Sequence, residues 1–435
     1  MSEQLPVVII GAGPQGLAAA AHLLERGIEP VVLEKGFGAG AAVSEWGHVR
    51  LFSEWPELVD QASRRLLEQG GWAAPLTGYP TGGEWVKEYL APLAAALGSR
   101  VRTSATVTGV SRVGRDRVVD SGRASQPFTV HMQHADGSEG RLLARAVLDA
   151  SGTWEQPNPA GAEGLPALDE RAAAAAGQVE YRIPASVSEL SGKHVVVVGS
   201  GHSAAHAVIR LAGLVQREPG TRVDWAIRRG TLAGFGSADD QLAARGALGG
   251  RARKVVEDGR VNLVPGFRTA EIRQDDEGLA LVSDDGQEIT GVNHVFALTG
   301  FRPELSFLSE VRTALDPSLQ AVAGLASEID PNVHSCGTVR ATGALELAQP
   351  EPGFYIIGAK SYGRAPTFLA LTGYEQVRSV VAELAGDHEA AARNELVLPD
   401  SGVCGGSADL DGGSCCAPAA RQSVEIGSRP LIPLG

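Results

Sequence analysis

Two glycine clusters carry the spacing in this chain that most clearly suits chemistry. The first reads Gly11-Ala12-Gly13-Pro14-Gln15-Gly16, and the second, far along the chain, reads Gly199-Ser200-Gly201-His202-Ser203-Ala204. In such a turn the first glycine permits the bend, the second admits a pyrophosphate close to the backbone, and the third lets the helix pack on its strand. The anion rests on the positive end of the following helix. Each cluster therefore reads as a phosphate cradle for a dinucleotide.

The flanking residues supply the elements such cradles need. Val7 to Ile10 is an apolar, β-branched run before the first turn, and Leu17 to Arg26 is an Ala-rich, helix-favouring stretch after it. A second apolar run, Pro30 to Leu33, ends in Glu34 and Lys35, and Glu34 stands where a carboxylate hydrogen-bonds an adenosine ribose. The later copy repeats the arrangement, with His194 to Val198 as strand and Ala205 to Leu214 as helix. Its next strand, Arg222 to Ile227, ends in Arg228 and Arg229 instead of an acid. A guanidinium there pairs with a 2′-phosphate, which favours NADPH over NADH; the plainer alternative is a solvated charge pair. His202 is either a local cap or a contact to the nicotinamide nucleotide, and the sequence leaves both open.

Two further strands, Val147 to Ala150 and Val295 to Leu298, leave through the small-residue turns Ser151-Gly152-Thr153-Trp154 and Thr299-Gly300-Phe301. Phe354 to Ile357 ends in Gly358, followed by a helix-compatible segment from Thr367 through Leu384. The expected fold is α/β, with two Rossmann-like dinucleotide-binding domains and the second, NADPH-binding domain inserted into the first. The expected boundaries are residues 1–183 and 296–398 for the first domain, 184–295 for the NADPH domain, and a Gly/Ser/Cys-rich tail over 399–435.

Composition narrows the partners. The 435 residues are 43% hydrophobic and 20% charged, which suits packed domains and excludes a disordered chain. A net charge of −13 repels phosphate backbones, so nucleic acid is not an expected partner. The start MSEQLPVVIIGAG has no signal-peptide pattern and no apolar run reaches membrane-spanning length. A cytoplasmic protein without a membrane partner is expected. The four cysteines, Cys336, Cys404, Cys415 and Cys416, are absent from the first three quarters of the chain, which suits reduced thiols.

With both glycine motifs, the two strand-to-turn segments and Gly358 in place, the chain resembles the two-dinucleotide-binding-domain flavoproteins, and within them the flavin-containing monooxygenases. The likeness runs over residues 5 to 385. It implies that Gly11, Gly13 and Gly16, with Pro14 and Gln15, hold the FAD pyrophosphate, Glu34 the ribose, and Val107 the adenine edge. It also implies that Gly199, Gly201, Ser203 and Arg228 hold NADPH. Trp46 to Ser53 occupies the place of a loop under the flavin, Gly152 opens the turn beside it, and Gly358 with the helix near Thr372-Gly373 would close over the ring. One departure stands out: the Phe-x-Gly-x-x-x-His-x-x-x-Tyr/Phe signature of that group is missing, and Ala176 to Arg182 carries no His. The phrases HVRLFSEW and SYGRAPTFLALTGYEQVRSVV are similar to those of actinobacterial monooxygenases associated with arsenic resistance.

The implied chemistry is that NADPH reduces FAD, and a flavin peroxide formed with O2 oxygenates a soft nucleophile. No catalytic triad is then required, because the cofactor does the difficult chemistry. The tail adds a substrate clue: Cys404, Cys415 and Cys416 lie in a Gly/Ser-rich stretch, and soft thiolates suit trivalent arsenic. With Cys336, they are candidate arsenic-binding residues; incidental thiols in a tail are the plainer alternative. A structural zinc or other resident metal is not expected, since the spacing lacks paired C-x2–4-C knuckles. A tail serving a neighbouring subunit would require a homodimer. The rival readings are a disulfide reductase acting on metal(loid)s or thiols, and a non-catalytic flavin redox sensor. The first needs a dithiol beside the flavin, and no C-x-x-C or C-x-x-x-x-C occurs.

Overall fold

A computed structural model describes residues 5–232, 242–332, 341–365 and 368–396. The chain begins with β1 (Val7–Ile10), turns through the first glycine cluster into α1 (Pro14–Glu25), and returns as β2 (Pro30–Leu33). β3 (Val101–Arg102) follows a helical stretch, and three antiparallel strands come next: β4 (Ala105–Arg112), β5 (Phe128–His134) and β6 (Glu139–Ala144). β7 (Ala146–Asp149) then rejoins β1 on its free side.

The chain crosses to a second unit: β8 (Val179–Glu180), β9 (His194–Val198), α2 (His202–Arg217), β10 (Arg222–Ile227), α3 (Ala243–Glu257) and β11 (Asn262–Pro265). Another antiparallel trio follows, β12 (Thr269–Asp275), β13 (Gly278–Ser283) and β14 (Glu288–Val292), before β15 (His294–Ala297) enters the second sheet. The chain crosses back to place β16 (Phe354–Ile356) and α4 (Ala370–Leu384) in the first unit.

Two five-stranded parallel sheets result, ordered β16-β7-β1-β2-β3 and β11-β10-β9-β15-β8. Ile9 aligns with Val32 on one side and Leu148 on the other. Every residue of β1, β2, β7 and β9 is buried, as continuous apolar runs covered on both faces must be. This is the two-Rossmann architecture expected from the sequence. The second sheet differs at its margins. β8 lies ahead of residue 184 and β15 runs past 295, because sheet membership follows pairing of β8 with β15, and a two-residue strand has no periodicity to display.

The two crossings run side by side. Pro157 bridges Phe301, the Asn158 amide donates to the Gly300 carbonyl, and the Arg302 amide donates to Gln156. A short antiparallel ribbon thus joins the two units, and both crossing turns are held at the C-terminal ends of the strands where α/β proteins place ligands.

Candidate functional site

The first glycine cluster is a cradle that side chains would fill. Gly11 has φ 100°, and a Cβ on it would lie 2.9 Å from the Ala150 carbonyl oxygen. A Cβ on Gly16 would lie 1.9 Å from the Gly11 oxygen, so helix and turn touch only because residue 16 has no side chain. Gly13 is different: nothing lies within 4 Å of a Cβ built there, and it begins α1 without a side-chain cap. The first amides of α1 thus face open space, the arrangement that receives an anion. Glu34, nearly buried, accepts 2.7 Å bonds from the amides of Ala12 and Gly36, which ties the cradle to the end of β2.

This cradle opens on a cavity of about 850 Å³ that also reaches the first turn of α2. Of the residues singled out by sequence, Gly11, Gly13, Pro14, Gln15, Glu34, Lys35, Trp46, Val107, Gly152, His202 and Ser203 line it. Lys35 pairs with Glu155 at 2.5 Å on the rim. Trp46 lies against Gly82, where a Cβ would come within 2.6 Å of its ring; Trp55, by contrast, is a core residue. Leu51, Phe52, Phe368 and Leu369 add apolar wall.

Gly16, Gly199, Gly201, Arg228, Arg229 and Gly358 are not among the lining residues. Gly16 and Gly199 act one layer back, by permitting close packing; a Cβ on Gly199 (φ 123°) would lie 2.3 Å from the Leu298 oxygen. The buried Trp225 holds the same turn, its Nε1 donating to the Gly199 oxygen at 2.7 Å. Gly358 donates to Gln376 Oε1 at 2.9 Å, and Gln15 fills the space between Gly358 and Gly373. It is therefore Gln15, and not Gly358 or Gly373, that meets the cavity, because α1 packs tightly on α4 there. Arg228 is exposed just beyond β10 and donates to the Ala162 oxygen at 3.0 Å. Arg229 is half-buried beside it.

Comparison with known proteins shows the family and the fold. The family model described as pyridine nucleotide-disulphide oxidoreductase matches residues 8–323. The chain belongs to that family. Among curated proteins, it is 32% identical over 198 residues to "Indole-3-pyruvate monooxygenase YUCCA1" of Oryza sativa subsp. japonica, covering 45% of this chain and 42% of the rice protein. It thus spans under half the length of that relative. Among solved structures, the bacillithiol disulfide reductase Bdr (YpdA) of Bacillus cereus superposes with TM-score 0.66 at 22% identity, over 88% of this chain and 99% of that one. The flavin-containing monooxygenase of Stenotrophomonas maltophilia gives 0.57 at 21% identity, with the same coverage. These structural likenesses show the shared fold.

Within this oxidoreductase-family chain, two features of the site escaped the sequence reading. Asp149, at the end of β7, accepts a 2.6 Å bond from Lys360 Nζ, and both side chains are fully buried. Lys360 also reaches Ser151 Oγ at 3.0 Å and lies 4.3 Å from the centre of the Phe307 ring. The only sequence signal was an Asp ending an apolar strand; its partner lies 211 positions away. The second feature is a stack across the crossing ribbon. Trp154 and Phe301 face each other at 4.9 Å, and the Arg182 guanidinium lies 4.1 Å from the Trp154 ring centre. Glu45 accepts from Trp154 Nε1 at 2.7 Å, fastening the ribbon to the cavity wall.

His206, a further lining residue, was also missed. Burial, followed by the nearby Arg251, His202, Arg210 and His48, holds its imidazole down at about 4. The folded protein then binds fewer protons than the unfolded chain between the ordinary histidine value and about 4, so stability rises with pH across that window. Acidification through it is expected to cost on the order of 3 kcal/mol at this one group. Thermal melts of His206→Asn should show a correspondingly flatter acid limb; an unchanged limb would refute the assignment.

Cys336, Cys404, Cys415 and Cys416 lie outside the described residues. Among those described, no group of three or more His, Cys, Asp or Glu is placed to hold a metal ion. No helix among them is long and apolar enough to cross a membrane.

Proposed function

We propose that this protein is an FAD- and NADPH-dependent monooxygenase, which transfers one atom of O2 to a soft nucleophile on a small molecule and releases the other as water. One observation supports the reading: one cavity is lined by the first turns of both α1 and α2, so ligands held at the two glycine turns would meet there. A bound flavin would supply the hydride acceptor and the oxygen-activating group. The residues present fit it, because the Gly11–Gly16 cradle closes up if given side chains and Glu34 stands at the ribose position.

The chain's own contribution is binding, orientation and exclusion of water. Gly13 and the α1 amides would hold the FAD pyrophosphate, and Gly201 with Ser203 the nicotinamide dinucleotide. Trp46, Leu51, Phe52 and Phe368 keep the reacting face apolar. The printed names of the rice and Stenotrophomonas proteins support oxygen transfer, and the missing close-spaced dithiol argues against disulfide reduction. Yellow protein should consume NADPH and O2 in equal amounts when given sulfides or trivalent arsenicals. Dithiol production from a disulfide, with no O2 consumed, would replace this reading by reductase chemistry.

NADPH preference is assigned to Arg228 and Arg229. Arg228→Glu is expected to weaken NADPH about tenfold or more while leaving NADH within about twofold, since only the former carries the 2′-phosphate. Equal losses for both nucleotides in steady-state kinetics would remove Arg228 from this role. For the substrate, we propose trivalent arsenic captured by Cys404, Cys415 and Cys416, on the strength of their crowding alone, with Cys336 as a further candidate ligand. A triple Cys→Ser variant that binds and oxidises arsenite as well as the parent would end that proposal.

A further inference from the structure

The corner of the cavity at the start of α2 has a charge pattern that the oxygenation chemistry does not use. His202 and His206 are four residues apart on one helix face, and both line the cavity. Gly201 caps the helix without a side-chain bond, so the positive helix end is open there. Across the gap, in the Trp46–Ser53 loop, Phe52 meets the His202 ring at 5.4 Å, and His48 keeps a buried Nε2 with no hydrogen-bond partner among the described residues. Arg210 approaches from α2 and Arg251 from α3; they are among the charged groups that act on His206, together with His202 and His48. Arg210, whose guanidinium donates to the Ala185 oxygen at 2.9 Å, also acts on His48.

The carboxylates that line the cavity are spent elsewhere. Glu34 accepts from Ala12 and Gly36, Glu45 from Trp154, Glu304 from Gln156 and Ser306, and Glu155 pairs with Lys35. The corner therefore offers the imidazoles of His202 and His206 and a helix end to whatever enters, within the electrostatic reach of Arg210, Arg251 and His48. Such a set is complementary to an anion.

We infer that His202 and His206, biased by the nearby His48, Arg210 and Arg251, form an anion subsite that takes up a proton from solvent as a phosphate of the pyridine nucleotide enters. The inference rests on reading the second glycine turn as the nucleotide site. In the free protein burial, followed by the nearby cationic groups, holds the His206 and His48 imidazoles below the ordinary histidine value. An arriving phosphate cancels the repulsion and favours the charged imidazole, so binding and protonation reinforce each other. Nucleotide affinity then rises as pH falls.

The test is titration calorimetry of the flavin-loaded protein with NADP+, at about pH 6.5 and about pH 8.5, in two buffers of unlike ionisation heat. The parent should take up protons on binding at the lower pH and gain about fivefold in affinity there relative to His48→Asn/His206→Asn. The 2′-phosphate titrates in the same range in both proteins, so their difference isolates the imidazoles. Arg251→Gln, at an exposed position, removes one repelling cation and should move the affinity step to higher pH. Because the FAD cradle is separate, retained flavin colour shows that a variant has folded. Equal proton uptake in the parent and the double variant, or an unmoved step in Arg251→Gln, overturns the subsite alone. Absence of NADP+ binding at both pH values overturns it together with the nucleotide reading beneath it.

Discussion

Replacing Asp149 by Ala is expected to destabilise the protein by about 3–5 kcal/mol, because it leaves the Lys360 ammonium buried without a counter-charge. The parent pair is 2.6 Å apart with neither side chain exposed, and Ser151 is the only other hydrogen-bond partner recorded for the ammonium among the described residues. Glu304 acts on Lys360 only without a hydrogen bond, being held by Gln156 and Ser306, and the Phe307 face can recover only a small part of the loss. Urea denaturation should show a lower midpoint at unchanged slope. The double variant Asp149→Ala/Lys360→Met should recover most of the stability, since an apolar pair is tolerated where an orphaned charge is not. A loss below about 1 kcal/mol in the single variant would mean that water reaches the pair. Ser151 and Ala359 border the cavity, so the single variant should also lose flavin more readily.

The other large effect falls on the first cradle. Gly16→Val places a Cβ that would lie 1.9 Å from the Gly11 oxygen, a distance no side chain tolerates, so α1 and the turn must separate. The helix end then no longer points at the pyrophosphate, and affinity for FAD should fall at least about 100-fold. Colourless protein that binds added FAD poorly, by fluorescence quenching, is the expected result. Gly13→Ala separates ligand contact from folding. Its backbone is extended at φ −79°, its surroundings are empty, and its methyl meets only an incoming phosphate. It should keep the parent melting behaviour while losing FAD affinity. If Gly13→Ala bound FAD normally, the pyrophosphate would have to lie elsewhere.

The sequence already contained the strands and turns of both cradles. Val7–Ile10, Pro30–Leu33, His194–Val198 and Arg222–Ile227 form strands over the same residues that their apolar runs suggested. Central parallel strands are covered on both faces, so burial writes itself into consecutive residues and short-range reading suffices. Glycine turns are legible for the same local reason, since the positive φ of Gly11 and Gly199 needs that residue type on the spot. The antiparallel trios β4–β6 and β12–β14 left a weaker trace. In β4 and β5 buried and exposed positions alternate imperfectly, and bulges interrupt the pairing.

Tertiary structure alone decided which distant residues share the site. Lys360 meets Asp149 because β16 lies beside β7, and Gln15 replaces Gly358 at the cavity because α1 packs against α4. Phe52 meets His202, and His48 comes within electrostatic reach of His206, because a loop of the first unit faces a helix of the second. None of these pairings has a sequence spacing that constrains it. A cradle is specified by one strand, one turn and one helix, and is written in consecutive residues. The charge balance of the cavity is a sum over elements brought together only by folding, and it exists only once both sheets are in place.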